Sequence, residues 1–155
     1  MKGPKGQDID LTAFYRWNSG HLLENRTRGA FAEWLVYRAL NISSEFSEEW
    51  APVDASYNGI TIEIKSAAYQ QSWVQDQPSA IVFSLRQKLA DLYVFCLMRG
   101  RTPENLNNWD FWVVPTRDLP NPKSISLNRL KAKFGDPVSF ERLRPVVDAQ
   151  NAANG

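Results

Sequence analysis

The chain has 155 residues and a formal net charge of +1, with 43% hydrophobic and 12% aromatic residues and six tryptophans. That suits one domain with a core large enough to need no covalent staples, spanning 1–155 with flexible stretches at 1–7 and 148–155. One cysteine excludes a disulfide scaffold or Cys-rich zinc site, one histidine a His cluster, and no apolar run is long enough to span a bilayer or act as a signal peptide, so the expectation is a soluble, cytoplasmic protein.

Residues 1–7 carry two glycines, a proline and two lysines and read as a disordered leader or a cloning remnant. Leu11, Phe14 and Tyr15 fall at helical spacing over 8–17, with Asn18-Ser19-Gly20 as the stop. The spacing predicts a stronger helix over 26–40. Ala32, Val36, Ala39 and Leu40 form one apolar stripe there, widened by Leu35. Strands are expected at 50–55 and 60–67, joined through Ser56-Tyr57-Asn58-Gly59, because Asn and Gly both tolerate positive φ. Ile60, Ile62 and Ile64 alternate with Thr61, Glu63 and Lys65, the period of a half-buried strand.

Residues 69–76 read as a polar, aromatic loop or short helix ended by Pro78. A strand is expected at 80–85, although Ile81, Leu85 and Leu89 also fit a helix. Residues 92–98 are apolar on both faces, as in a central buried strand. A polar loop over 99–108 and a strand at 111–115 follow. Helices are expected at 126–134, capped by Ser124 or Ser126, and at 139–147, capped by Ser139, before a frayed polar end. The fold class is α/β: a central mixed sheet of about five strands flanked by helices.

Charge divides unevenly along the chain. Residues 41–65 set Glu45, Glu48, Glu49, Asp54 and Glu63 against Lys65 alone, whereas 86–144 hold eleven Lys or Arg against six Asp or Glu. An acidic block beside a basic half suits a metal site facing a polyanion, and a solvated surface gives the same composition.

Glu63 and Lys65 stand two apart on a strand and share a face. With a two-residue turn at Asn58-Gly59, Asp54 lies opposite Glu63. With a four-residue loop over 56–59 it lies opposite Thr61, diagonal to Glu63. Both registers put Asp54, Glu63 and Lys65 on one face, where two carboxylates can share a hard cation such as magnesium or manganese. An ordinary solvated strand face also carries Glu-x-Lys pairs. Glu33 falls about 60° from Val36 on the 26–40 helix, bordering the apolar stripe, where a carboxylate needs a cation or a donor. Gly29, one turn earlier, would permit close approach to a neighbouring strand. Clustered carboxylates repel, so at least one is expected to hold its proton above the usual range unless Lys65 compensates.

These pieces resemble the PD-(D/E)xK, or restriction-endonuclease-like, nuclease superfamily. They are Gly29-Ala30-Phe31-Ala32-Glu33 on the first helix, Asp54 on the next strand and Glu63-Ile64-Lys65 on the one after, with Ala90-Asp91-Leu92-Tyr93-Val94-Phe95-Cys96 further on. Over roughly 26–117 the text looks like an uncharacterised bacterial group of that superfamily. The resemblance implies magnesium- or manganese-dependent hydrolysis of phosphodiester bonds in DNA by an endodeoxyribonuclease. It implies Asp54, Glu63 and the Ile64 backbone carbonyl as metal ligands, Lys65 positioning the attacking water, and Glu33 supporting a ligand or a second metal. Val53 separates Pro52 from Asp54, so the Pro-Asp pair is absent, and the stretch between Leu85 and Leu92 is too short for a crossover helix.

Ser66, Tyr69, Gln70, Gln71 and Trp73 follow the catalytic strand, where they could meet a sugar-phosphate backbone or pack on the helix. Cys96 reads as a core residue, His21 as isolated, and Trp109, Phe111 and Trp112 as core or a dimer surface. Arg129, Lys131, Lys133, Arg142 and Arg144 are candidate phosphate contacts. A small domain offers little surface to a duplex, which points to a homodimer. The alternative is a non-catalytic nucleic-acid-binding or assembly subunit of a defence or mobile-element system, working with a partner protein.

Overall fold

The computed structural model describes residues 25–42, 53–69, 80–85 and 90–154. The expected helix over 8–17, the start of the 50–55 strand and the 70–79 segment lie outside the described residues.

Helix α1 (Asn25–Leu40) forms where the apolar stripe predicts it, with Ala32, Leu35, Val36 and Leu40 buried. It ends because Asn41 takes a left-handed φ of 56°. The Ile42 N–H then donates to the Tyr37 carbonyl at 2.8 Å and the Asn41 N–H to that of Arg38 at 3.2 Å, a Schellman-type stop.

Strands β1 (Ala55–Tyr57) and β2 (Ile60–Ala68) pair antiparallel with Tyr57 opposite Ile60 and Ala55 opposite Ile62. Asn58 and Gly59 have φ of 48° and 86°, so the connection is the two-residue turn. Strand β3 (Val82–Ser84) is followed by β4 (Leu92–Met98), buried at all seven positions, and by β5 (Trp109–Pro115) and β6 (Ser124–Ser126). The main sheet has four strands in the order β1-β2-β4-β5, with β2 and β4 parallel and the other neighbours antiparallel.

The α/β class with a mixed sheet is as expected and about five strands is close: four form the main sheet, and β3 pairs with β6 in a separate two-stranded sheet. This also removes the difficulty of the short 85–92 stretch. The parallel step from β2 to β4 uses the whole of 69–91, long enough for a crossover.

Helix α2 (Leu127–Phe134) is capped by Ser126, whose hydroxyl accepts from the Arg129 N–H at 3.3 Å. Helix α3 (Phe140–Asn154) runs past its expected end at 147 and through Pro145. The hairpin holds the extra turns: the Tyr57 hydroxyl donates to Asp148 Oδ1 at 2.7 Å, and Asn151 Nδ2 donates to the Asn58 carbonyl at 3.3 Å.

Two apolar layers sandwich the sheet. On one face Ala32 and Val36 of α1 and Leu143 and Val147 of α3 pack on Ile62, Ile64, Val94, Cys96 and Phe111. On the other, Phe83, Ile125 and Leu130 cover Tyr93, Phe95, Leu97, Trp112 and Val114. Coverage on both sides explains why β4 is apolar throughout. Trp109, Phe111 and Trp112 are core residues, the two indoles donating to the carbonyls of Pro103 (2.7 Å) and Gly135 (3.0 Å). Among the described residues, no helix is long and apolar enough to cross a membrane.

Candidate functional site

The hairpin opens into a fork where the acidic residues stand. Strand β1 pairs with Ile60–Ile62 only, whereas β2 continues to Ala68. At the branch point the Asp54 N–H donates to the Ile62 carbonyl at 3.1 Å. The Asp54 carboxylate then replaces a strand: Oδ2 accepts the Ile64 N–H at 2.7 Å. From the other side the Tyr37 hydroxyl of α1 donates to the Asp54 backbone carbonyl. Asp54 is thus held by β2 and α1 together.

Glu63 and Lys65 leave β2 on one face, as the alternation requires. Lys65 Nζ lies 3.6 Å from Glu63 Oε1, with side-chain exposures of 29% and 13%. Glu33 comes from α1, on the border of the buried stripe, and is half-buried. It interacts with both Asp54 and Glu63. The sequence-predicted set Glu33, Asp54, Glu63 and Lys65 therefore comes together, the acids arriving from three separate segments.

Gly29 has a different part from the one expected. A Cβ built there would meet Ser66 Oγ at 3.8 Å, ordinary contact, so the approach of α1 to β2 does not require glycine.

The electrostatics follow from this crowding. The Glu33 carboxyl is pushed up to about 7, first by burial, then by the charge of Asp54 and a hydrogen bond with it, then by Glu63. Glu63 is also pushed up to about 7, by burial first and then by its hydrogen bond with Asp54 and the Asp54 charge, with Lys65 opposing. Glu33 and Glu63 therefore keep protons near neutrality that isolated glutamates lose well below it. Behind Glu63, at its register partner on β4, the Tyr93 hydroxyl is pushed up to about 12 by burial and then by Glu63 and Asp54. The buried Cys96 thiol is pushed up by burial and then by Glu33 and Asp54.

Among the described residues, no group of three or more His, Cys, Asp or Glu side chains is arranged to hold a metal ion. The three acids meet as a crowded cluster in which Glu33 and Glu63 are pushed up to about 7. The donor chemistry nevertheless suits a hard cation: the groups are carboxyl oxygens, and a single lysine is set against them.

The residues after Lys65 divide. Ser66 is partly buried on the α1 side of β2, and Tyr69 packs against the core layer that contains Phe83 and Tyr93. Gln70, Gln71, Trp73 and His21 lie outside the described residues. Tyr37 and Tyr93 were missed by sequence reasoning. Tyr37 had a signal, since it stands four residues after Glu33 on the same flank of the helix. Tyr93 had none, because its place beside Glu63 depends on the parallel pairing of distant strands. Comparison with known proteins adds no relative: no family model and no curated protein matches the chain.

Proposed function

We infer that the chain is a divalent-metal-dependent nuclease of the restriction-endonuclease-like class that hydrolyses phosphodiester bonds in DNA. The observation that carries this reading is the fork itself. Glu33, Asp54 and Glu63 converge with Lys65 where β1 leaves β2.

Asp54, Glu63 and the Ile64 carbonyl, with Glu33 alongside, would hold magnesium or manganese, which would supply charge neutralisation and Lewis acidity for phosphodiester hydrolysis. The chain's own residues do the rest. Asp54 is oriented by the Ile64 N–H and by Tyr37, so its carboxylate needs little reordering before it acts. Lys65 points to the same face as Glu63, where its ammonium can orient a water and offset negative charge developing on the phosphate. A cation bound there would offset the burial and the like charges that hold Glu33 and Glu63 near 7, so its uptake would release their protons. The exposed Arg129, Lys131 and Lys133 of α2 serve as phosphate contacts, and a homodimer widens the surface offered to a duplex.

The test is incubation of the wild type with plasmid and single-stranded DNA in magnesium, manganese or EDTA. Cleavage in either metal and none in EDTA supports the reading. Binding without cleavage in any metal replaces it with the non-catalytic binding module.

A further inference from the structure

Trp34 directly follows Glu33 on α1, yet it is 50% exposed, although an indole is among the side chains that gain most from burial. It leaves the helix about 100° round from Glu33, on the adjoining flank. Its surroundings are organised. The Arg38 guanidinium, one turn on, lies over the indole at 5.0 Å from the ring centroid. Phe31, one turn back, touches it with ring centroids 5.6 Å apart and planes tilted by 32°. These side chains border a groove of about 580 Å³ that also takes in Leu106 and Phe140, with Glu104 in its lining. Among the described residues, Arg38 forms no salt bridge.

We propose that this groove seats an unpaired nucleobase of single-stranded DNA, which makes single strands rather than intact duplex the preferred substrate; the proposal rests on the nuclease reading above. The exposed Arg38 guanidinium over the indole pairs a flat cation with an aromatic ring, both able to stack with a further ring. A base can stack on it while the attached phosphate pairs with the same charge. The apolar side chains of Phe31, Leu106 and Phe140 suit the face of a base and not a phosphate. The Glu104 carboxylate accepts from base N–H groups, such as the ring N–H of thymine, and repels phosphate, so it turns the strand with its backbone toward Arg38.

Intact duplex cannot use this surface. Its bases stack on one another and present only edges and phosphates, which leaves an apolar groove unfilled. The position also fits the chemistry. Glu33 and Trp34 are consecutive on one helix, so the acids and the groove lie on adjoining flanks of α1.

The experiment measures fluorescence anisotropy of a labelled oligothymidine and of a labelled hairpin duplex, using the full chain in EDTA. Trp34→Ala should weaken oligothymidine binding roughly five- to a hundredfold, the range for losing one base–aromatic stack, with duplex affinity changed by less than about twofold. Trp34→Phe keeps a stacking ring and should retain most of the affinity, which preserves the test if the alanine variant folds poorly. Arg38→Lys keeps the charge and loses the plane, and should fall between. Equal losses for both nucleic acids, or no loss for either, overturn the proposal. So does a Trp34→Ala change in sedimentation with oligothymidine affinity intact, which would assign the groove to a protein partner or a second copy. Cleavage assays in magnesium and manganese on the same samples separate the two readings. Metal-dependent cleavage without Trp34-dependent strand binding leaves the nuclease and removes the groove. Trp34-dependent strand binding without cleavage leaves the groove and removes the nuclease.

Discussion

Replacing Glu33 by glutamine should stabilise the metal-free protein above neutral pH and change its stability much less at pH 5. Burial, then Asp54, then Glu63 push the Glu33 carboxyl from 4.5 to about 7 in the folded chain. The folded state therefore holds this proton more tightly than the unfolded chain does. The associated stability is fully present below pH 4.5 and is lost as pH rises through about 7. For an isolated buried acid the interval from 4.5 to about 7 corresponds to roughly 3 kcal/mol. Glu33 and Glu63 both feel Asp54 and each other, so their effects overlap, and partial solvent access screens them further. A loss of ~1–2 kcal/mol attributable to Glu33 is the consistent magnitude. Glutamine mimics the protonated carboxyl and has no proton to lose, so Glu33→Gln should recover that amount at pH 8. For a domain of this size the recovery is about 2–8 °C in Tm. Thermal and urea unfolding in EDTA at pH 5, 6, 7 and 8 measures it. An equal stability difference between wild type and Glu33→Gln at pH 5 and pH 8 would refute the assignment of a protonated, charge-crowded Glu33.

Lys65→Ala should stop DNA cleavage while leaving duplex affinity within a fewfold of wild type, since it removes one phosphate-attracting charge; cleavage at the wild-type rate would show that Lys65 has another role. Magnesium or manganese should raise the wild-type Tm, by the equivalent of about 2.7 kcal/mol at a hundredfold excess over Kd, and Asp54→Ala or Glu63→Ala should abolish both the rise and cleavage. No wild-type rise at millimolar metal would count against a preformed site. Asp54→Ala should also cost stability without metal, ~1–3 kcal/mol, because the Ile64 N–H loses its acceptor, while Asp54→Asn keeps the bond and most of the stability; equal losses in urea unfolding would contradict the geometry. Arg129→Ala and Lys133→Ala should weaken DNA binding and flatten its salt dependence by about one ion each, with the metal-induced Tm rise untouched.

The local chemistry of the chain was readable from the sequence. The stripe of Ala32, Val36 and Leu40 predicted α1, because burial on one side of a helix repeats with its turn. Asn58-Gly59 specified a turn with two positive φ angles, and that turn set the register bringing Asp54 to the Glu63 side of the fork. The unbroken apolar run of β4 announced a strand covered on both faces. Glu33 was identified by its place at the edge of a stripe, which is also a local property.

What only the tertiary structure decided involves partners far apart in the chain. Whether β3 joins the main sheet or pairs with β6 depends on which surface is left uncovered, and Val82–Ser84 carries no trace of that choice. Helix α3 extends to Asn154 because Asp148 and Asn151 find the hairpin, a contact that its small polar sequence does not foretell. Tyr93 meets Glu63 only through the parallel pairing of β2 with β4. The protonation of Glu33 and Glu63 depends on burial and on distances among three segments, and a charge has no periodicity from which such neighbours could be read. Periodicity records which side of an element is covered; what covers it is settled by the packing of the whole chain.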